Sequence, residues 1–271
     1  MVTTVTSLDN TTVKLARALG KRRDRQRERA FVIEGVRAIA EAFAAGAIPR
    51  AVFIERDALG QGVAQERLLM TLTEMRDDGP GRHTRVLEVT PQVMAAVTET
   101  ETPQGIAAIF AFPEQATPPT GTPLIVIADG VRDPGNLGTM LRTALGAGAT
   151  AVYTTPATVD LYNPKVMRAA MGAHFRLGLR SNVGWEALDQ ELASCAAVWG
   201  ADADGALVYT EAGWTEATAL VVGSEDRGIS PEGRERCTAM LAIPLAGRLE
   251  SLNAAVAAAV LLFEAARQRR S

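Results

Sequence analysis

Apolar residues recur along the second half of the chain in two alternating rhythms. Short continuous runs, "LIVIA" ending at Ala128, then "AVYTT", "AAVWGAD", "TALVVG" and "AMLAIPL", read as strands buried on both faces, with "FRLGL" as a further short strand. Between them lie helical patterns: "NPKVMRAAMGA", "WEALDQELASC" and a terminal helix from about Ser251. After "LIVIA", residues Leu137, Met140, Leu141, Ala144 and Leu145 stand at i, i+3, i+4, i+7 and i+8, the spacing of one buried helical stripe. Such alternation predicts a mainly parallel sheet covered by helices on both faces.

The first half repeats the theme on a smaller scale. Helical periodicity runs through "VKLARALGKRR" and through "EGVRAIAEAFAAG", where Val36, Ile39, Ala40 and Phe43 share a face and Gly46 follows as a C-cap. "AVFIE" from Ala51, "TRVLEVT" and "GIAAIFAF" read as strands, and "QERLLMTLTEMRDDG" as a helix. "PEQATPPTGTP" packs four prolines into eleven positions, a linker composition. The predicted organisation is therefore an α/β domain over residues 1–112, a linker over 113–122 and a second α/β domain over 123–271, a length that supports two cores.

Charge changes this picture more than composition does. The net charge is −3, yet the residues up to Arg29 carry eight bases against three acids, +5, which leaves −8 for the rest. Lys14, Lys21, Arg22, Arg23, Arg25 and Arg27 concentrate that positive potential in one stretch, suited to a phosphate backbone; a solvated helix is the plainer alternative. Cys195 and Cys237 stand far apart and no apolar export segment begins the chain, so a reducing, cytoplasmic setting is expected. The longest uncharged apolar stretch, Leu252 to Phe263, is shorter than the roughly 18 residues of a membrane span. His83 and His174 lack the spacing of a zinc site, and no metal is expected.

The glycine-rich stretch "VRDPGNLGTMLRTALGAGATAVYTT" poses the question of a phosphate cradle. "GAGATA" matches the string of a dinucleotide fold, but it follows a helix and leads into a strand, the reverse of the required order, so it reads as a helix C-cap and turn. A Walker-type loop is absent from the sequence. The earlier "DGVRDPGN" lies beyond a strand's C-terminal end, where open α/β sheets bind ligands. There Asn136 is expected to cap the next helix, and Gly138 to clear room above Arg142 one turn on. "LVVGSEDRGISPE" and "AIPLAGRLESLN" are two more strand-end loops, the second with Ser251 as the expected N-cap. Three strand ends thus converge on a site rich in backbone amides and carbonyls and poor in ionisable groups.

These three stretches, in this order, resemble the motifs of the SpoU/TrmH RNA ribose 2′-O-methyltransferases of the SPOUT superfamily, and "KRRDRQRERAFVIEG" and "TPQGIAAI" are similar to that family's N-terminal ribosomal-protein-like RNA-binding extension. The resemblance covers nearly the whole chain. It implies a C-terminal α/β SPOUT domain with a trefoil knot, S-adenosylmethionine as methyl donor, and an RNA partner, with ribosomal (23S) RNA favoured over tRNA. It implies that Arg142 acts on the ribose 2′-OH, as a base or as a stabiliser of the alkoxide or phosphate, with Asn136, Glu225, Ser251 and Asn253 as the other polar motif residues. Gly223, Ile243, Leu252 and Asn253 would hold the cofactor. A homodimer is implied through the final helix, with Ala257, Val260, Leu261 and Glu264 at the interface. Two other classes remain: a non-catalytic RNA-binding or ribosome-assembly protein of the same fold, and a nicotinamide-dependent oxidoreductase, which the misplaced glycines disfavour. Some relatives protect ribosomes from antibiotics and others modify them constitutively; the residues leave that choice open.

Overall fold

The computed structural model describes residues 4–77, 79–98, 100–113, 122–247 and 249–270, so most of the expected linker lies outside the described residues. The chain forms two compact units, Met1–Glu114 with Tyr162–Phe175, and Gln115–Leu161 with Arg176–Ser271.

In the first unit, strands β1 (Thr4–Val5), β2 (Ala30–Glu34), β3 (Pro49–Ile54), β4 (Arg85–Val89) and β5 (Ile106–Ala111) form a sheet of order β1-β4-β3-β5-β2. β4 runs parallel to β1 and β3, while β5 is antiparallel to β2 and β3. Its helices are α1 (Thr11–Ala18), α2 (Arg22–Glu28), α3 (Val36–Ala44), α4 (Arg56–Leu59), α5 (Val63–Asp77) and α6 (Pro91–Val97). Val13, Ala16 and Leu19 pack with Val93, Met94 and Val97 against Phe53, Ala107 and Ile109. β2 and α6 are not among the elements the pattern predicts, because β2 follows the basic run with no intervening turn residue. In α3 the buried positions are Ile39 and Ala42, and Ala40 of the expected face is exposed. The helix expected through "VKLARALGKRR" is broken at Gly20, and Arg25, 3 % exposed, closes the corner by donating to the carbonyls of Leu19 at 2.8 Å and Gly20 at 2.7 Å.

The return of Tyr162–Phe175 to this unit is invisible to periodicity and rests on rings. Tyr162 stacks on Phe112 at 3.8 Å and lies 5.0 Å from Phe31, and Phe175 meets Phe110 edge-on at 5.2 Å. The short helix α7 (Pro164–Ala170) sits between them in sequence.

In the second unit, β6 (Leu124–Asp129), β7 (Ala151–Thr154), β8 (Gly178–Arg180), β9 (Ala197–Ala201), β10 (Leu207–Val208), β11 (Thr218–Gly223) and β12 (Ala239–Ala242) make a seven-stranded sheet of order β10-β12-β9-β11-β6-β7-β8, parallel at every pairing. The helices are αA (Pro134–Gly146), α8 (Trp185–Ala193), α9 (Pro231–Arg236) and αC (Ala254–Arg270). The chain leaves β6 toward β7 and β8 and then returns to the other side of β6. That reversal is the point at which such sheets hold ligands, beyond the strands' carboxyl ends. "GAGATA" forms the end of αA and a turn, with Ala147 as C-cap and Gly148 at φ +82°. Among the described residues no helix is long and apolar enough to cross a membrane.

The C-terminal end of αC is fastened by polar contacts. Arg269 donates to the carbonyls of Trp214 (2.7 Å), Glu216 (2.7 Å) and Pro123 (3.0 Å). Glu264 is buried and accepts two bonds from Arg267, at 2.7 and 2.8 Å, and one from Gln268 at 2.8 Å. Leu261 and Glu264 are therefore spent inside their own chain, and the large apolar groups αC leaves exposed are Val256 and Phe263. The bonds from Arg267 and then Gln268 lower the Glu264 carboxyl from about 4.5 to about 2. A lowered folded-state pKa contributes stability that is complete above about pH 4.5 and fades as pH falls toward 2. Urea midpoints measured across that range should fall less steeply for Glu264→Gln than for the parent.

Candidate functional site

Three loops meet where β6, β11 and β12 end. Asp129, buried at the end of β6, accepts from the Thr155 hydroxyl and from the Ser230 amide, each at 2.7 Å, and so ties the ends of β6 and β7 to the loop after β11. αA starts with Pro134 in its first turn and is capped by Asp133, whose Oδ1 accepts from the Asn136 amide at 2.8 Å. Asp133, not Asn136, is thus the cap. With the cap already supplied, the Asn136 side chain is left to reach across to another loop.

It reaches Glu225. Gly223 and Ser224 lead into a tight turn closed by Ser224 N–H to Gly228 at 3.1 Å and Gly228 N–H to Ser224 at 2.9 Å, and the Asn136 amide nitrogen donates to Glu225 Oε1. The third loop ends at Asn253, whose Oδ1 accepts from the amides of Ala255 (3.0 Å) and Val256 (3.3 Å), making Asn253 rather than Ser251 the cap of αC. The Asn253 nitrogen donates to Asn136 Oδ1 at 3.0 Å. Every link runs one way: helix amides hold the Asn253 oxygen, Asn253 donates to Asn136, and Asn136 donates to a carboxylate that can only accept. Arg132 adds a tie to Asp226 at 3.3 Å.

Beside this chain of bonds lies a cavity of about 490 Å³. Gly223, Glu225, Ile243, Ser251, Leu252 and Asn253 line it, so the expected cofactor residues converge there with three of the expected polar ones. Leu241, Leu245, Ala257 and Leu261 give it an apolar side, and its size is that of a small-molecule site. A Cβ on Gly223 would fall on the backbone of Gly228 and Ile229, which explains the glycine at this strand end. Asp202 and Arg234 also line the cavity and were not foreseen; the available signal was "VWGADADG", another strand ending in polar residues.

Arg142 stands elsewhere. It is exposed on αA, makes no hydrogen bond or ion pair among the described residues, and is not part of the cavity wall. Gly138 is buried, so these two residues lie on either side of the helix's boundary with solvent.

The profile of the SpoU rRNA Methylase family matches residues 123–263, the span holding all three loops. This chain belongs to that family. The SpoU segment is preceded by a match to the MRM3-like substrate binding domain over residues 10–108. The chain is 34 % identical to the Bacillus subtilis 23S rRNA (guanosine(2553)-2′-O)-methyltransferase RlmP, over 96 % of this chain and 97 % of RlmP. It is 32 % identical to the human mitochondrial rRNA methyltransferase 3, over 91 % of this chain and 69 % of that protein. The crystal structure of an AdoMet-bound rRNA methyltransferase from Sinorhizobium meliloti superimposes with a TM-score of 0.81 at 31 % identity, covering 98 % of each chain.

Within the first unit, the basic residues divide. Lys21, Arg22 and Arg23 are exposed. Lys14 pairs with Asp9 at 2.9 Å, and Arg27 with Asp24 and Glu28 at 3.0 Å each, all with exposed cations. Arg25 leaves the set expected to touch a partner, because its buried guanidinium is committed to the α1 corner.

Proposed function

We propose that this protein methylates a ribose 2′-hydroxyl of ribosomal RNA, 23S RNA in particular, using S-adenosylmethionine. The observation that carries the reading is the hydrogen-bonded chain Asn253–Asn136–Glu225, which joins all three family motifs beside one cavity. When bound, the donor supplies an electrophilic methyl on a sulfonium, and the rate gain comes from alignment and from stabilising charge on the acceptor oxygen.

The residues divide that work. The backbones of Gly223, Ile243 and Leu252, with Asn253, hold the donor, while Asn136 and Glu225 keep the motif loops in register. Arg142 steadies the negative charge developing on the 2′-oxygen; a guanidinium, which stays cationic, is a poor base but a strong hydrogen-bond donor. Its detachment from its own chain's cavity supports a homodimer in which each arginine serves the partner's site. Exposed Val256 and Phe263, seven residues apart on αC, with Leu249 just before it, offer the apolar face for that contact. A trefoil knot belongs to the same reading, supported by αC packing on αA although β12, which precedes αC, lies beyond β9 and β11 from β6. A reducing cytoplasm suits the two free thiols.

Incubation with methyl-labelled S-adenosylmethionine and 23S RNA, followed by digestion to nucleosides, should yield a labelled 2′-O-methylnucleoside. Label on a base would overturn the reading, and no label would favour the assembly-protein alternative.

RNA docking on the first unit is tested by charge reversal, since deleting the segment would also strip Val13, Ala16 and Leu19 from the core. Lys21→Glu, Arg22→Glu and Arg23→Glu together should weaken RNA binding and flatten its salt dependence by up to about three phosphate contacts. Arg25→Ala should instead lower the melting temperature and leave that slope unchanged. Anisotropy titrations at several salt concentrations separate the two outcomes.

A further inference from the structure

The cavity has walls of two kinds. Leu241, Leu245, Leu252, Ala257 and Leu261 make one part apolar, whereas the end of β9 and the helix α9 contribute Asp202 and Arg234. Arg234 Nη2 donates to Asp202 Oδ2, and Asp202 Oδ1 accepts from the Asp204 amide at 3.0 Å. The Arg234 side chain is 46 % exposed and that of Asp202 16 %, so the pair is reachable from the cavity. It is also held in place. α9 is capped by Ser230, which accepts from Gly233 N–H at 3.2 Å, and a Cβ on Gly233 would collide with the ring of Trp185. Gly228 lies next to the guanidinium, where a Cβ would stand 3.7 Å from Arg234 Nη2.

We propose that Asp202 and Arg234 form the subsite for the amino-acid end of the methyl donor, Arg234 taking the α-carboxylate and Asp202 the α-ammonium. This rests on the methyl-donor reading above. The reacting methyl must face the Asn136 loop, which follows β6. β9 lies on the other side of β11 from β6, so the charged pair sits away from that loop, where a non-reacting arm of the donor extends. An adenine ring suits the leucine wall. A zwitterion suits an ion pair, because each of its charges meets an opposite one, and when the site is empty the two protein groups satisfy each other and leave no uncompensated charge. The other charged residues of the wall are Glu225, which accepts from Asn136 and holds the motif loops, and Arg227, 76 % exposed and 3.9 Å from Asp226.

Two ligands separate the amino-acid arm from the rest. S-adenosylhomocysteine carries it; 5′-methylthioadenosine keeps the adenosine thioether and ends in a methyl group. Isothermal titration calorimetry of the full chain should find the first bound at least about tenfold more tightly than the second. Arg234→Ala and Asp202→Asn should each weaken S-adenosylhomocysteine by about tenfold, the scale of one charge-assisted hydrogen bond, and leave 5′-methylthioadenosine within about twofold. Unchanged binding of the second ligand shows at the same time that the cavity is intact. Equal weakening of both ligands, or no weakening of either, would overturn the assignment. A wild-type protein that binds neither ligand would overturn the methyl-donor reading itself, and the subsite with it.

Discussion

Arg142→Ala is expected to lower methyl transfer by about a hundredfold or more under single-turnover conditions, with S-adenosylhomocysteine affinity and melting temperature unchanged. The magnitude is that of removing one preorganised donor to a developing oxyanion. The absence of other effects follows from the structure: the side chain is exposed, is bonded to nothing among the described residues, and lies outside the cavity wall. Arg142→Lys should recover little, because a point charge cannot reproduce a planar fork of donors. If the arginine serves the partner subunit's site, mixing Arg142→Ala chains with Gly223→Ala chains should restore part of the activity, since each mixed dimer holds one site with an intact arginine and an intact cavity. Near-normal turnover by Arg142→Ala would overthrow its role. Failure of the mixed dimers would confine the arginine to its own chain.

Gly223→Ala should weaken S-adenosylhomocysteine by more than tenfold and destabilise the fold by about 1–3 kcal/mol, the usual range for forcing atoms into a packed site. The methyl group has no room, because Gly228 and Ile229 present backbone rather than a movable side chain. The turn must open, and with it go the Ser224–Gly228 bonds that set the position of Glu225. Gly228→Ala is the matched comparison. At φ +65° an alanine there is strained by about 1–2 kcal/mol, but its Cβ meets only Arg234 Nη2, at 3.7 Å. Comparable stability loss with ligand affinity kept within about threefold is expected. Calorimetry and urea melts on both variants decide the matter, and equal loss of ligand by both would remove the special role given to the Gly223 approach.

Legible in the residues alone are the parallel α/β character of the second unit, the stripe of αA, the reading of "GAGATA" as a turn, and the strand ends next to Gly223 and Ile243. All of these are local: a strand buried on both faces must be continuously apolar, and a helix packed on one side must repeat its apolar positions every three or four residues. Tertiary structure decided what depends on residues far apart. Asn136 is bound to Glu225 and Asn253, 89 and 117 positions away, and its side chain is free to reach them because Asp133 already makes the cap. Arg25 looked like any other member of a basic run until the chain turned at Gly20 and offered it two carbonyls. Tyr162–Phe175 joins the first unit through rings that carry no period, and Asp202 faces Arg234 only because β9 and the turn after β11 end side by side. Side-chain periodicity reports which way a residue faces within its own element; which distant group it meets there is set by the order in which the strands assemble.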